Sequence, residues 1–300
     1  MTTVLVAGAS GFVGSRLADA LVNAGHEVRA MTRHPESYQG AGEPVCGDVG
    51  FPESLTAALK GATAAYYLVH SLADSDFRNK DAAAARAFSA AAAKAKLERI
   101  IYLGGLGADS EDLSEHLTSR REVEHLLACD GVPVTVLRAA IIVGDGGISW
   151  EITRQLVDRL PAMVTPRWVT TKTQPIALHD VISYLVGVLE PAEARGRTYE
   201  IGGPDVLTYA EMMQRVARIR RGRRLPIVVV PMLTPRLSSR WLALVTDVDT
   251  ATGRNLVDSM SNEVIVTDNS INSVVPLEPR TYDEAVRLAF ADFDRRRSTP

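Results

Sequence analysis

Three evenly spaced glycines, Gly8, Gly11 and Gly14, stand between an apolar run at residues 4–7 and a segment in which Val13, Leu17, Leu21 and Ala24 recur at helical spacing. No other feature of the chain restricts its fold as much. A strand, a tight glycine turn and a helix in this order form the setting in which such a pattern binds a dinucleotide. Gly8 permits the turn, Gly11 lets the backbone approach a pyrophosphate, and Gly14 lets the helix pack close to the strand. The helix's first amides then face the phosphates. Ser10, Phe12 and Val13 complete the loop and belong to the same expected site. Gly25 supplies a left-handed stop to the helix.

The rest of the first half keeps the same alternation. Strands are expected at 28–32, 64–69, 99–103 and 134–138, with a weaker one around Val45, and helices near 12–24, 53–59, 81–96 and 114–128. This is the signature of an α/β fold with a doubly wound parallel sheet, the NAD(P)-binding Rossmann type. After Gly144 the rhythm changes. A helix near 150–160 precedes Pro161 and Pro166, and Pro175-Ile176-Ala177 leads into a helix through Leu189. One more strand is expected at 197–201, then a helix at 209–220, an apolar strand at 227–230 and a last helix from Tyr282 to about Asp294. The expected organisation is a dinucleotide-binding domain over 1–203, with 149–172 inserted toward the substrate side, and a smaller substrate-binding lobe over 204–300.

Composition excludes several classes. Of 300 residues, 46% are hydrophobic and 23% charged, which is neither disordered nor collagen-like. The net charge of −3 gives no basic field that would draw the chain onto nucleic acid, so any bound anion must be held locally. One run at 218–224 holds five arginines in seven residues, but without interleaved aromatics it reads as a solvated helix end or a contact for a substrate phosphate. Cys46 and Cys129 are too few for a disulfide framework and lack zinc-site spacing, so no metal and a reducing cytoplasm are expected. The start Met-Thr-Thr lacks the basic opening of a secretory signal, and no apolar run approaches the roughly 18 residues that span a bilayer. No membrane residence is expected.

At the end of the second strand an acidic residue would accept the adenosine ribose hydroxyls and mark NAD. This chain carries Thr32-Arg33 there. A cation without a neighbouring carboxylate suits a 2′-phosphate, and Arg16 on the first helix offers a second contact. NADP(H) is therefore the expected cofactor, with NAD(H) as second choice. Asp48, with Val49 after the third strand, either meets the adenine amino group or caps its own turn.

Five segments occur together: the glycine loop, Asp48-Val49, Leu103-Gly104-Gly105-Leu106-Gly107, the run from Leu137-Arg138 to Val143-Gly144, and Ile201-Gly202-Gly203-Pro204. Over residues 1–205 the chain thereby resembles the atypical and extended short-chain dehydrogenase/reductases, most closely the NmrA-like, nucleoside-diphosphate-sugar-epimerase-like NAD(P)H-binding proteins. The stretch from Trp241 to Thr246 and Tyr282-Asp283-Glu284-Ala285 carry a less specific likeness. Active members of the wider superfamily carry Tyr-x-x-x-Lys on the helix after the fifth strand, usually with a serine at that strand's end. None of the eight tyrosines here has a lysine four positions on. His116 and Arg120 stand at the matching place, with Gly104-Gly105 where the serine is expected. His116 either donates a proton or orients substrate, or makes structural hydrogen bonds at a helix start. Arg120 either contacts cofactor and favours a neutral His116, or pairs with Glu124. The resemblance places His70 and Ser71 on a loop over the cofactor, as pocket lining or as a loop cap. Arg138 and His179-Asp180 match family motif positions and read as structural.

Two functions follow. One is an oxidoreductase that passes hydride from NADPH to a small carbonyl, quinone or enone held between the sheet's carboxyl edge and the C-terminal lobe. The other, implied by the NmrA likeness and the missing dyad, is a non-catalytic NADP(H)-sensing protein that binds a protein partner. A lobe of nearly 100 residues after Gly203 favours a small-molecule substrate.

Overall fold

The computed structural model describes residues 1–71, 74, 76–107, 113–230, 245–247 and 250–298. Residues 241–244 of the Trp241 to Thr246 stretch lie outside them. The chain runs β1 (Thr3–Ala7), α1 (Phe12–Asn23), β2 (Glu27–Thr32), β3 (Glu43–Cys46), α2 (Pro52–Ala58), β4 (Ala64–Tyr67), α3 (Phe77–Lys94), β5 (Arg99–Gly105), α4 (Glu115–Leu127) and β6 (Val134–Ala139). Next come β7 (Ile142–Val143), α5 (Ile148–Arg159), β8 (Met163–Thr165), β9 (Lys172–Thr173), β10 (Ile176–Ala177), α6 (Leu178–Gly187) and β11 (Thr198–Ile201). Seven strands form one parallel sheet in the order β11-β6-β5-β4-β1-β2-β3. The fold is the doubly wound Rossmann type that the alternation predicts.

Both faces of the sheet are covered, which is why its strands read as continuous apolar runs. On one face Leu17 and Leu21 of α1 pack with Tyr66, Leu137, Val181 and Leu185, and the Tyr66 hydroxyl donates to the Leu185 carbonyl at 2.8 Å. On the other, Leu55 of α2, Phe88 of α3 and Val123 of α4 pack with Leu5, Tyr67 and Ile100. The order reverses between β1 and β4, so the crevice above their carboxyl ends is where this fold places ligands.

A second core lies beyond that edge. Trp150 and Leu156 of α5, Val169, Met212 and Val216 of α7 (Tyr209–Arg221), and Val286 and Phe290 of the helix Tyr282–Ser298 form it. Trp150 and Phe290 meet edge to face at 5.1 Å. Residues 148–169 therefore pack with the tail rather than with the sheet, whereas Ile271, Val274 and Val275 return to the sheet's core. The apolar strand expected near 227 forms at Ile227–Val229, paired in parallel with β8. The helix Thr250–Ser259 was not expected, because its Thr, Gly and Asn residues weaken the propensity signal. It packs across α4, and just beyond it the Asn262 Oδ1 accepts the Ser114 N–H at 3.1 Å.

Candidate active site

The glycine loop joins β1 to α1. Gly8 has φ +89, a conformation side chains rarely adopt, and its carbonyl accepts the Gly11 N–H at 2.9 Å. A Cβ on Gly14 would lie 2.1 Å from that carbonyl oxygen, so helix and turn touch backbone to backbone. A Cβ on Gly11 would meet only the same oxygen, at 3.1 Å, and otherwise points into open space. Gly11 is the N-cap of α1 and no side chain caps it, so the first-turn amides remain for a ligand. These features fit a dinucleotide pyrophosphate. Ser10 is exposed on the loop, Val13 packs toward the sheet, and Phe12 turns toward the crevice.

At the adenosine end, Thr32 is buried and its hydroxyl accepts the His34 N–H at 3.2 Å. Arg33 stands exposed, with no side-chain hydrogen bond or ion pair among the described residues. Asp48 follows β3. Its Oδ1 accepts the Gly50 N–H at 2.8 Å and its own N–H donates to Ser54 Oγ at 2.9 Å, so it closes its turn, while Val49 packs toward the α2 side of the sheet. Arg16 is already engaged: its guanidinium donates to the carbonyls of Phe12 at 3.1 Å and Asp145 at 3.0 Å.

Between the sheet edge and the second core lies a cavity of about 290 Å³. Phe12, Ile141 and Ile148 form one wall, and Leu256, Met260 and Val264 another. His70, His116 and Arg120 supply its polar end. The two α4 residues are one turn apart and face the cavity because Gly105 ends β5: a Cβ there would lie 2.9 Å from Leu117 and 3.5 Å from Arg120. The glycine standing where the family has serine thus lets α4 sit close to the strand.

Arg120 is 9% exposed. The ion pair with Glu124 is not formed; Glu124 instead binds Arg138 at 2.7 Å and Arg121 at 3.4 Å, which assigns Arg138 to a structural cluster. His116 Nδ1 is buried without a hydrogen-bond partner among the described residues. Burial first, then the Arg120 charge and then His70, pushes the His116 pKa down to about 3. His70 shifts in the same direction from crowding and Arg120, although its side chain opens to solvent at the mouth, which weakens the effect. His116 is therefore neutral at physiological pH. It offers an N–H hydrogen bond rather than an imidazolium proton.

Sequence reasoning missed Asp81, a single aspartate at the head of an alanine-rich stretch of α3. It is 3% exposed, and its Oδ1 accepts the Ser71 N–H at 2.8 Å, fixing the loop that carries His70. Burial raises its pKa and the Arg120 charge opposes that rise. Asp180 is also structural: fully buried, it accepts the Arg280 N–H at 2.8 Å and pairs with the Arg280 guanidinium. In the arginine run, Arg220 pairs with Asp294 and Arg221 donates to the Leu160 carbonyl, and Gly222 ends α7 at φ +67. No described helix is long and apolar enough to cross a membrane.

A strand–glycine loop–helix with a ligand crevice at the switch point defines an NAD(P)H-binding Rossmann protein, and residues 8–168 match the family described as NAD(P)H-binding. The chain belongs to that family. It is 30% identical over 228 residues to a (4-alkanoyl-5-oxo-2,5-dihydrofuran-3-yl)methyl phosphate reductase of Streptomyces griseus, covering 72% of this chain and 73% of that one. Over 233 residues it is 28% identical to a ceramide reductase of Caulobacter vibrioides, covering 72% and 70%. Its fold matches the NADPH-dependent quinone oxidoreductase QOR2 of Escherichia coli, complexed with NADPH, with a TM-score of 0.76 at 20% identity over 96% of this chain and 99% of that one.

Proposed function

We propose that this protein is an NADPH-dependent reductase of a small carbonyl, quinone or enone. The cavity carries the reading: its lining is mostly apolar, its hydroxyls come from Ser149, Tyr209 and Ser259, its basic side chains are His70, His116 and Arg120, and Phe12 of the dinucleotide loop lines it too. A sensor needs no such second pocket. The Streptomyces griseus and Caulobacter vibrioides relatives add support, since both are reductases and the first acts on an oxo-dihydrofuran phosphate.

When bound, the nicotinamide would supply hydride. The chain's own residues hold and polarise. The glycine loop and the α1 amides hold the pyrophosphate, and Arg33 holds a 2′-phosphate through a charge-assisted hydrogen bond. Arg120 donates to the nicotinamide ribose hydroxyls from its fixed place on α4. His116, kept neutral by burial and by that charge, donates an N–H to the acceptor oxygen as negative charge develops there. Leu256, Met260 and Val264 exclude water from that end of the crevice.

The test is a screen of NADPH oxidation across quinones, aldehydes and enones, beside a partner pull-down with and without cofactor. Turnover of one acceptor class supports the reductase. Tight NADPH binding with no acceptor reduced, and a partner held only in one cofactor state, would replace it with the sensor.

A further inference from the structure

The C-terminal helix reaches the dinucleotide loop through one buried carboxylate. Asp145, just after β7, is 2% exposed, and its Oδ1 accepts a hydrogen bond from Arg296 Nη2 at 2.9 Å. Its backbone carbonyl accepts Arg16 Nη2 at 3.0 Å. The other end of the same guanidinium donates to the Phe12 carbonyl at 3.1 Å and lies 5.5 Å over the Phe12 ring. Phe12 directly follows Gly11. The turn after Asp145 presses on it: Gly146 has φ +89, and a Cβ on Gly147 would lie 2.7 Å from Phe12 Cζ. Outside the turn, Phe293 receives the guanidinium of Arg154 at 4.1 Å and that of Arg296 at 5.9 Å.

We infer that Asp145 and Arg296 are positioning residues for the dinucleotide loop, which couple docking of the helix Tyr282–Ser298 to cofactor binding. The inference rests on the reading of the glycine loop as the NAD(P)H site. The carboxylate is the hinge of the argument because removing its exposed partner leaves a buried anion facing only Arg16 among its near cations. The turn must then shift to hydrate it, and Phe12 and Arg16 move with the turn. Coupling between binding free energies is reciprocal, so bound nucleotide must in turn hold the C-terminal helix more firmly.

The experiment compares the wild-type chain with Arg296→Ala, Arg296→Lys and Asp145→Asn. Each is titrated with NADPH by nicotinamide fluorescence well below its melting temperature. Amide hydrogen exchange is followed at 11–16, 144–147 and 282–298, with and without NADPH. The expected result is a Kd raised about 5-fold or more in Arg296→Ala, with faster exchange at 11–16 even without nucleotide and recovery in Arg296→Lys. NADPH should also slow exchange across 282–298 in the wild type and fail to do so in Arg296→Ala. If Arg296→Ala melts lower but binds NADPH as the wild type does, with unchanged exchange at 11–16, the pair is only a tether and the inference is overturned. Should Arg296→Ala not fold, Asp145→Asn carries the same comparison. A wild-type chain that binds neither NADPH nor NADH would instead overturn the reading of the glycine loop, and this inference with it.

Discussion

Gly11 and Gly14 look interchangeable in the sequence, but the structure gives them different surroundings, Gly14 pressed against backbone and Gly11 facing open space. In Gly14→Ala the new methyl would sit 2.1 Å from the Gly8 carbonyl oxygen, 2.8 Å from its carbon and 3.1 Å from Ala9 Cα. All three are backbone atoms, so no rotamer relieves the overlap and α1 must lift from the β1 turn. Overpacking costs about 1–3 kcal/mol where side chains can yield, and rigid neighbours put this case near the upper end. At roughly 2–4 °C per kcal/mol for a chain of this size, melting should fall by roughly 5–10 °C. Gly11 differs. Its φ is −82, which any residue adopts, and its Cβ would meet one atom at 3.1 Å. Gly11→Ala should melt within a degree or two of the wild type, about what restricting the unfolded chain adds or less. Yet its methyl occupies the path of the pyrophosphate, so NADPH affinity should fall at least about tenfold, a loss of about 1.4 kcal/mol. Thermal melts without nucleotide and a fluorescence titration read the two effects separately. Unchanged melting of Gly14→Ala, or normal NADPH binding by folded Gly11→Ala, would refute the assignment.

Arg33→Ala should weaken NADPH binding by about 10- to 100-fold while leaving NADH affinity nearly unchanged, since a charged hydrogen bond contributes about 1.5–3 kcal/mol; parallel titrations with both nucleotides check it. Against an acceptor identified by the screen, His116→Phe should lower kcat by about 10²- to 10³-fold, the loss seen on removing one oxyanion donor, with Kd for NADPH nearly constant. Because His116 is already neutral above a pKa of about 3, kcat should show no ionisation from this residue near neutral pH; a bell centred near 6.5 that vanishes in His116→Phe would refute the neutral assignment. The sign for stability follows from the same shift. Between about 6.5 and about 3 the unfolded chain binds a proton at His116 that the folded chain refuses, so stability falls as pH drops through that window, and His116→Phe should flatten part of the fall in denaturant midpoints.

The sheet was legible because its strands are buried on both faces, and a strand such as β5 then reads as an uninterrupted apolar run. The glycine loop was legible because each glycine answers a separate steric demand. The second core was not. Trp150, Met212 and Phe290 come from three elements far apart in the chain, and no local period connects them. Strands of two residues, such as β7 and β10, are too short to show alternation. At the site, His116 and Arg120 stand out because they occupy the place where the resembling families carry their tyrosine and lysine, but their electrostatics do not, because burial and the nearness of His70 arise only from folding. Arg16 shows the same limit from the other side. A basic residue on the first helix suggests a phosphate contact, and only the fold shows that the Asp145 carbonyl competes for its guanidinium.

That electrostatic arrangement bears on the choice of acceptor. In a tyrosine–lysine pair the cation makes its neighbour more acidic, and the proton moves readily in either direction. With Arg120 beside His116 the permanent charge of the guanidinium again disfavours a second positive charge, but on an imidazole this removes the exchangeable proton instead of freeing it. The site can then stabilise a developing oxyanion by hydrogen bonding but is poorly equipped to protonate a strongly basic alkoxide. Simple ketones and aldehydes generate such alkoxides on hydride addition. Quinones and enones spread the charge over a conjugated system and yield anions far less basic at oxygen, which need no strong acid at that oxygen and take their proton from water. Within the proposed class the pocket should therefore reduce conjugated acceptors faster than saturated carbonyls of equal size. Comparing an enone with its saturated ketone in the same NADPH assay decides this, and equal kcat/KM for the two would remove the argument.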